Sequence, residues 1–345
     1  MAPRIVSVVG NRPQFVKAAP LHLALRDVAE VVLVDTGQHY DHGLAGIFYE
    51  ELGIAPPAHA LGVGSGSHAE MTARILERIE PVLLDERPDW VVVYGDTNST
   101  LAGALAASKL TLPIAHVEAG LRSFDRTMPE ELNRVLVDAV SGALFCPSDV
   151  AVGNLAAEGV TAGVHVVGDV MADAARLFGP LADRFGHPDG PYVLATVHRE
   201  ANTRQPELGR LVTALSELGR TVILPLHPRT RVAMSHAGLE FGPSVEVRQP
   251  ASYLEFTALL RGADALLTDS GGAQKEAYFH GVPCVTLRET TEWVETVETG
   301  WNVLAPNDAD ALREALDRPR PAARPPLYGD GHAAERIAAV LTGAT

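Results

Sequence analysis

Three acidic positions have the residue type and spacing for proton transfer. Glu118 comes directly after one short apolar segment, Asp96 comes one residue after another, and Glu130 lies at the start of a helix-like stretch. Because sites form at the carboxyl ends of parallel strands, we expect these carboxylates to converge at one sheet edge. Carboxylates that cluster in a cleft raise one another's pKa, which can provide a general acid at neutral pH. The simpler alternatives are that Asp96 caps a helix and that Glu130 and Glu131 stabilise a helix dipole.

Other positions carry residue types that suit a phosphate or a sugar acid. Arg12 lies at the mouth of the helix predicted after the first strand, and Lys17 lies one turn further on. Residues 270–272, Ser-Gly-Gly, form a strand-to-helix turn where backbone amides can approach a diphosphate at the positive helix end. Glu276, one turn into that helix, could accept hydrogen bonds from ribose hydroxyls. The alternatives are two solvated cations and an ordinary tight turn.

Two common kinds of site are not indicated by the sequence. The first strand is not followed by the G-x-G-x-x-G pattern, which argues against an enzyme that uses a nicotinamide dinucleotide. The histidines His39, His42, His198 and His227 lack the spacing of a metal-binding pair, and no aspartate pair with metal spacing is evident. We therefore predict no cofactor and no metal.

The elements that must position these residues form two similar sets. Short β-branched segments without polar alternation are typical of strands buried on both faces of a parallel sheet. Helix-like stretches between them indicate crossover connections, and the Gly- and Pro-rich stretch 177–191 predicts a linker. We therefore predict an α/β protein of two doubly wound domains with a cleft between them. The predicted strands are 5–9, 31–34, 90–94, 114–117, 143–146 and 164–167, then 192–196, 222–226, 245–247, 265–268, 284–287 and 301–303.

The composition limits the class of partner. The chain has 345 residues, which suits two domains, and 28 basic against 43 acidic residues give a net charge of −15. No cluster of Lys or Arg is present, which argues against a nucleic-acid partner and favours a small molecule. No apolar run reaches the roughly 18 residues of a membrane helix, and the start of the chain lacks a signal-peptide pattern. Cys146 and Cys284 lie in apolar runs, so we predict buried free thiols in a cytoplasmic protein.

Seven short motifs occur in order along essentially the whole chain. They are Gly10-x-Arg12-Pro13-x-x-x-Lys17, Thr36-Gly37-Gln38-His39, Gly95-Asp96-Thr97, His116-Val117-Glu118-Ala119-Gly120-Leu121-Arg122, Pro129-Glu130-Glu131-x-Asn133-Arg134, Asp269-Ser270-Gly271-Gly272 and Tyr328-Gly329-Asp330-Gly331. Any single motif is weak, but the ordered set is highly specific. Together they resemble the non-hydrolysing UDP-N-acetylglucosamine 2-epimerase family.

This resemblance implies the glycosyltransferase-B fold, with two Rossmann-like domains, a central cleft and a C-terminal helix that crosses back to the first domain. Residues 1–170 and 328–345 would form the N-terminal domain, which carries the catalytic carboxylates. Residues 171–327 would form the UDP-binding domain. The Pro- and Arg-rich segment 319–326, which cannot be helical throughout, would precede the crossing helix, predicted at 332–341. The resemblance also implies a homodimer.

The implied reaction inverts C2 of the sugar in a UDP-N-acetylhexosamine, from UDP-GlcNAc to UDP-ManNAc. The C2 proton is not intrinsically acidic, so UDP leaves C1 as that proton is removed, which gives a glycal. UDP then adds again, and C2 is protonated from the opposite face. Such a path needs a base, an acid on the other face and cations for the leaving diphosphate. It needs no redox cofactor and no metal.

Residue roles follow from the same resemblance. Asp96, Glu118 and Glu130 are the catalytic carboxylates, in an order of base and acid that the sequence leaves open. His198 assists at the sugar or the diphosphate. The substrate-binding positions are Arg12, Ser270, Gly271 and Gly272 for the diphosphate, Lys17 for the sugar, Glu276 for the ribose, His227 near the uridine, and also Gln38, Arg122, Asn133 and Arg134.

Several motifs depart from the branch that makes N-acetylmannosamine. That branch commonly has His-Arg-Arg-Glu-Asn and Thr-Glu-Arg-Pro-Glu, whereas this chain has His-Arg-Glu-Ala-Asn at 198–202 and Thr-Glu-Trp-Val-Glu at 291–295. These motifs are more similar to the branch that acts on UDP-2,3-diacetamido-2,3-dideoxy-glucuronate. A uronate would need an extra cation near C6, for which Arg122 or Arg288 could serve. The sequence also leaves open a UDP-dependent glycosyltransferase and a hydrolysing relative of the epimerases.

Overall fold

The computed structural model describes residues 2–37 and 49–344. The chain divides into two compact units, which we call unit 1 (Met1–Leu177 with Tyr328–Thr345) and unit 2 (Phe178–Leu327). Every strand predicted from the sequence is present, with bounds that differ by at most one residue. Gln38 lies outside the described residues. No helix within the described ranges is both long and apolar enough to cross a membrane.

Unit 1 contains a parallel seven-stranded sheet with the order β3-β2-β1-β4-β5-β6-β7. The β-branched strands β1 and β4 supply much of its core, because their side chains are buried on both faces. The strands are β1 (Arg4–Val9), β2 (Glu30–Asp35), β3 (His59–Ala60), β4 (Trp90–Tyr94), β5 (Ile114–Val117), β6 (Ala143–Cys146) and β7 (Val164–Val166). The helices described over their full length are α1 (Arg12–Leu25), α2 (His68–Glu86), α3 (Asn98–Lys109), α4 (Pro129–Val140) and α5 (Asp149–Ala157). The next helix, α6 (Val170–Ala182), begins in unit 1 and ends in unit 2.

Unit 2 contains a parallel six-stranded sheet with the order β10-β9-β8-β11-β12-β13. Its strands are β8 (Val193–Thr196), β9 (Val222–Pro225), β10 (Val245–Arg248), β11 (Ala265–Thr268), β12 (Cys284–Thr286) and β13 (Asn302–Leu304). Its helices are α7 (Glu200–Thr203), α8 (Glu207–Ser216), α9 (Pro228–Ala237), α10 (Tyr253–Gly262), α11 (Gly271–His280), α12 (Val294–Glu298) and α13 (Ala309–Leu316). In both sheets the chain order reverses beside the first strand, as in doubly wound folds.

The predicted linker is wrong in its first part, because α6 continues to Ala182 with Pro180 inside it. A proline removes one helical hydrogen bond, so the helix needs packing to continue. Phe178 is 3% exposed, and its ring lies 6.3 Å from that of Tyr253. This burial stabilises the end of a helix that Gly179 and Pro180 by themselves would weaken.

The last helix, α14 (Ala333–Thr342), belongs to unit 1 and packs against α1. The buried carboxylate of Asp173 accepts hydrogen bonds from the Ala333 and Ala334 amides at 3.0 and 2.9 Å. These amides are among those that a helix start cannot satisfy within itself. The return of the chain to its first unit, which the resemblance implied, is confirmed.

Candidate active site

An ion pair joins Lys17 of α1 to Glu118, the residue that follows β5. The two side chains are 14% and 6% exposed, so the pair is largely shielded from water. Gly95, which follows β4, makes room for it. A Cβ at this glycine would lie 3.1 Å from Lys17 Nζ and 3.2 Å from Glu118 Oε2, and its φ of +63° also favours glycine. Glu118 itself has a φ of +73°, a strained value for a residue with a side chain.

Asp96 is held by two residues of α4. Arg134 Nη2 donates to Asp96 Oδ2 at 2.5 Å, and Asn133 Nδ2 donates to the Asp96 carbonyl at 2.8 Å. The cap of α3 is Thr97, whose hydroxyl accepts from the Thr100 amide. The alternative that Asp96 serves as the helix cap is therefore wrong. Its carboxylate remains 28% exposed and fixed by a cation.

The two neighbouring acids of α4 have different environments. Glu131 is 2% exposed and accepts hydrogen bonds from the Ser123 and Phe124 amides at 2.9 and 3.0 Å, and from Arg134 at 2.9 Å. Burial alone would raise the pKa of Glu131, but the bonds from Ser123, Arg134 and Phe124 hold it below its usual range. Glu131 therefore fixes the 123–124 loop. Glu130 is only half-buried, so it is the acid of this pair better placed to meet a ligand.

Unit 2 builds a second group of polar residues around Asp269, which follows β11 and is fully buried. Asp269 accepts hydrogen bonds from the His198 and Arg199 amides at 3.1 and 2.9 Å, and from Asn202 Nδ2 at 3.1 Å. Desolvation lowers the pKa of His198, partly offset by the Asp269 charge. The His198 ring lies 5.4 Å from the ring of His227, which caps α9. The strand ends of unit 2 thus hold two imidazoles side by side.

The turn at residues 270–272 shows why its two glycines differ. Ser270 caps α11, and its amide donates to Thr268 Oγ1 at 3.0 Å. A Cβ at Gly271 would lie 2.3 Å from Glu292 Oε1, so a larger residue would require the Glu292 carboxylate to move. A Cβ at Gly272 would meet nothing closer than Ser270 Oγ at 4.0 Å. The Glu292 carboxylate therefore borders the turn at Gly271, whereas the α11 N-terminus is open beside Gly272.

Comparison with known proteins decides the family. A family model described as UDP-N-acetylglucosamine 2-epimerase matches residues 22–342. The chain belongs to this family. It is 47% identical to the UDP-2,3-diacetamido-2,3-dideoxy-D-glucuronate 2-epimerase of Pseudomonas aeruginosa, over 98% of this chain and 99% of that one. It is 46% identical, with the same coverage, to a UDP-N-acetylglucosamine 2-epimerase homolog of Methanococcus maripaludis. The crystal structure of the Methanocaldococcus jannaschii UDP-GlcNAc 2-epimerase, in complex with UDP-GlcNAc and UDP, matches with a TM-score of 0.92, 39% identity and 99% coverage of both chains.

These matches confirm the predicted membership of the UDP-N-acetylglucosamine 2-epimerase family. They also confirm the α/β fold of two Rossmann-like units, and they support the predicted epimerase activity. The structure brings the predicted residues together as Lys17 with Glu118, Asp96 with Asn133 and Arg134, and His198 with His227. Arg12 is the first residue of α1, and Glu276 lies half-buried in α11. Their contacts with substrate stay predictions.

Arg122, predicted to bind substrate, is held by protein groups in this epimerase-family chain. Its side chain is 1% exposed, with Nη1 at 2.8 Å from Asp138 Oδ2 and both Nε and Nη2 at 2.7 Å from the Glu158 carboxylate. Two carboxylates therefore neutralise its charge. Its contact with substrate stays a prediction, but the structure disfavours Arg122 as the extra cation for a uronate.

Sequence reasoning missed the buried polar residues that join these loops. Gln14 is 1% exposed, accepts from the Gly10 amide and donates to the Tyr94 carbonyl at 2.7 Å. His116 and Asp138 form a buried pair at 2.6 Å. The one available signal was a polar residue inside an apolar strand, as at His116 in β5.

Proposed function

We propose that the protein inverts C2 of the sugar in a UDP-N-acetylhexosamine, so that it interconverts UDP-GlcNAc and UDP-ManNAc. The observation that carries the proposal is the placement of two carboxylates, Asp96 and Glu118, on adjacent strand ends, each oriented by its own cation. This arrangement supports proton transfer because a carboxylate must be held in one place to act in a transition state. Family membership supplies the reaction type.

The reaction runs through two balanced halves. A carboxylate takes the C2 proton, the electron pair of that bond forms the C1–C2 double bond, and the C1–O bond breaks with its pair leaving on UDP. UDP then adds to C1 of the glycal, while an acid delivers a proton to C2 on the other face. We assign the proton transfers to Asp96, Glu118 and Glu130. His198, whose lowered pKa favours the neutral imidazole, would assist by hydrogen bonding.

The leaving diphosphate needs donors rather than more negative charge. The N-terminus of α11, capped by Ser270, presents the backbone amides of Gly271 and Gly272, and such a helix end favours an anion. Arg12 is a further proposed contact for the diphosphate, and Lys17 is proposed for the sugar. The open space at Gly272 supports this assignment. Gly272→Ala should fold normally and bind UDP less tightly than the parent protein.

The test is incubation with UDP-GlcNAc in deuterated water. We expect NMR to show deuterium at C2 of a sugar that still carries its nucleotide. Asp96→Asn and Glu118→Gln should lose this exchange by orders of magnitude while their circular dichroism stays unchanged. Release of free N-acetylmannosamine and UDP would indicate hydrolysis instead. Near-normal turnover in both variants would overturn the assigned roles.

A second candidate substrate is UDP-2,3-diacetamido-2,3-dideoxy-glucuronate. The 47% identity to the Pseudomonas aeruginosa enzyme named for that substrate favours it. The same exchange experiment with each UDP-sugar decides between them by the ratio of kcat/KM. A preference for UDP-GlcNAc would reject the uronate as the substrate.

We also propose a homodimer that acts in the cytoplasm. Leu132, Leu136 and Val140 form a stripe on α4 and are 47%, 52% and 39% exposed. The stripe adjoins a groove of about 440 Å³ lined by α2, α3 and α4. Exposed apolar surface of this kind is typical of an interface. Leu136→Glu should convert a dimer into a monomer in analytical ultracentrifugation, and a monomeric parent protein would reject the proposal.

The two buried free cysteines support the proposed cytoplasmic location, because free thiols persist in a reducing compartment.

A further inference from the structure

A completely buried histidine of unit 1 has an acceptor at each ring nitrogen. His116 Nδ1 lies 2.6 Å from Asp138 Oδ1, and His116 Nε2 lies 2.8 Å from the Gly95 carbonyl oxygen. A carbonyl oxygen can only accept a hydrogen bond, so Nε2 carries a proton. Asp138 Oδ2 accepts from the Gly120 amide at 3.1 Å and from Arg122 at 2.8 Å, as expected of an ionised carboxylate. Because the buried pair with Arg122 keeps Asp138 ionised, Oδ1 has no proton to donate, so Nδ1 donates as well and the ring is an imidazolium.

The charges around His116 balance within one chain of contacts, which runs from the buried ring to the exposed Glu158. His116 and Arg122 both bind Asp138, and Arg122 also binds Glu158, so two cations alternate with two carboxylates. Burial alone would raise the pKa of Asp138, but His116 and Arg122 hold it below its usual range. The side chains of His116, Asp138 and Arg122 are at most 1% exposed, so water does not compensate these charges. Removal of His116, Asp138 or Arg122 leaves a buried charge unbalanced.

The network binds two loops that the proposed reaction uses. His116 fixes the carbonyl of Gly95, the residue before Asp96. Asp138 fixes the amide of Gly120, two residues after Glu118. Asp138 also lies on α4, the helix whose Asn133 and Arg134 bind Asp96.

We propose that His116 is a buried imidazolium and that His116 and Asp138 are positioning residues, which hold the Asp96 and Glu118 loops at one fixed spacing. The catalytic part of this inference rests on the proposed epimerase function. The charge state of His116 does not depend on that function. Glu118 adopts a φ of +73°, and such a backbone persists only where its surroundings enforce it. The buried bonds to Gly95 and Gly120 supply that constraint on both sides of the ion pair with Lys17.

The charge state is tested on the unmodified protein by NMR of isotope-labelled histidine nitrogens. His116→Gln identifies the resonances by their loss. We expect both His116 ring nitrogens to be protonated, each with a coupling to its own hydrogen and slow exchange with water. A ring nitrogen without a proton at neutral pH would overturn the imidazolium.

The positioning role is tested with Asp138→Asn. We expect kcat for C2 exchange to fall about 100-fold, the size that a small misplacement of catalytic groups produces. KM and the affinity for UDP should change by less than about threefold, because no substrate contact is removed. If this variant does not fold, His116→Gln replaces it, with the same expected fall in kcat and the same small change in KM.

The matched control is Glu86→Gln. Glu86 also binds a histidine and an arginine of unit 1, with His59 Nε2 at 2.7 Å and Arg4 Nη1 at 3.3 Å, but none of these residues touches the Asp96 or Glu118 loops. We expect its kcat to match the parent. Equal kcat in Asp138→Asn and Glu86→Gln would overturn the positioning role. Absence of C2 exchange by the parent protein with either UDP-sugar would instead refute the proposed function and leave the NMR result standing.

Discussion

Gly95→Ala separates the cost of backbone strain from the cost of disturbing the Lys17–Glu118 pair. Gly95 has a φ of +63°, and Gly53 of the same unit has a φ of +64°. An alanine in this left-handed region costs about 1–2 kcal/mol at either position. A Cβ at Gly53 meets nothing within 4 Å, so Gly53→Ala isolates that backbone cost.

At Gly95 the new methyl group also meets charged atoms, at 3.1 Å from Lys17 Nζ and 3.2 Å from Glu118 Oε2. Favourable contacts between such atoms begin near 3.5 Å, so the pair must shift by a few tenths of an ångström. We expect Gly53→Ala to lose about 1–2 kcal/mol of unfolding free energy in urea, and Gly95→Ala to lose at least as much. Only Gly95→Ala should lose kcat for C2 exchange, by about tenfold or more.

The assay combines urea unfolding, followed by circular dichroism, with deuterium incorporation at C2 under saturating UDP-sugar. The comparison of the two variants is the decisive quantity. If Gly95→Ala retains the kcat of Gly53→Ala, the close approach at Gly95 does not govern the position of Glu118, and the reasoning fails.

Three further outcomes follow from the same geometry. Glu131→Gln should lower the unfolding free energy by about 1–3 kcal/mol, because it leaves buried donors of the 123–124 loop poorly satisfied, whereas Glu130→Gln should lose C2 exchange at unchanged melting temperature. Asp173→Ala removes the acceptor of the first two amides of α14 and should cost about 1 kcal/mol, measured by denaturation and by faster proteolysis at the C-terminus. The pKa of Asp138 is lowered in the folded protein, so its carboxylate stabilises the fold above about pH 4, and this contribution is lost as pH falls through the folded-state pKa. The unfolding free energy of Asp138→Asn, measured as a function of pH, should therefore fall less steeply in acid than that of the parent protein.

Much of the fold was predictable because the strands of a parallel sheet have a simple sequence pattern, a short run of apolar residues. Segments such as 90–94 and 143–146 are buried on both faces, so they are continuously apolar. β3 was missed because a strand of two residues has no pattern to detect. The linker prediction failed at α6 because the packing of Phe178 against Tyr253 outweighs the local preference of Pro180.

The site was predictable only as far as strand ends reveal it. Asp96 and Glu118 were candidates because they follow the ends of β4 and β5. Glu130 and Glu131 are adjacent on α4, and the sequence alone does not distinguish them. Glu131 is separated from Glu130 by its bonds to the 123–124 loop, which form only when the chain folds. Asp138 was missed for the same reason, because a carboxylate on a helix is ordinarily a surface residue and its buried partners are distant in sequence.

The capping of α14 by Asp173 has a consequence for the order in which the two units complete their folding. The ribosome completes the sheet of unit 1 first, then the 150 residues from Phe178 to Leu327, and only afterwards the helix that covers α1. At ordinary rates of translation this delay is roughly 10–30 seconds. During that time the apolar face of α1 and the carboxylate of Asp173 are made but not covered. Unit 1 therefore finishes folding only after the chain of unit 2 has been made, although most of unit 1 is synthesised first.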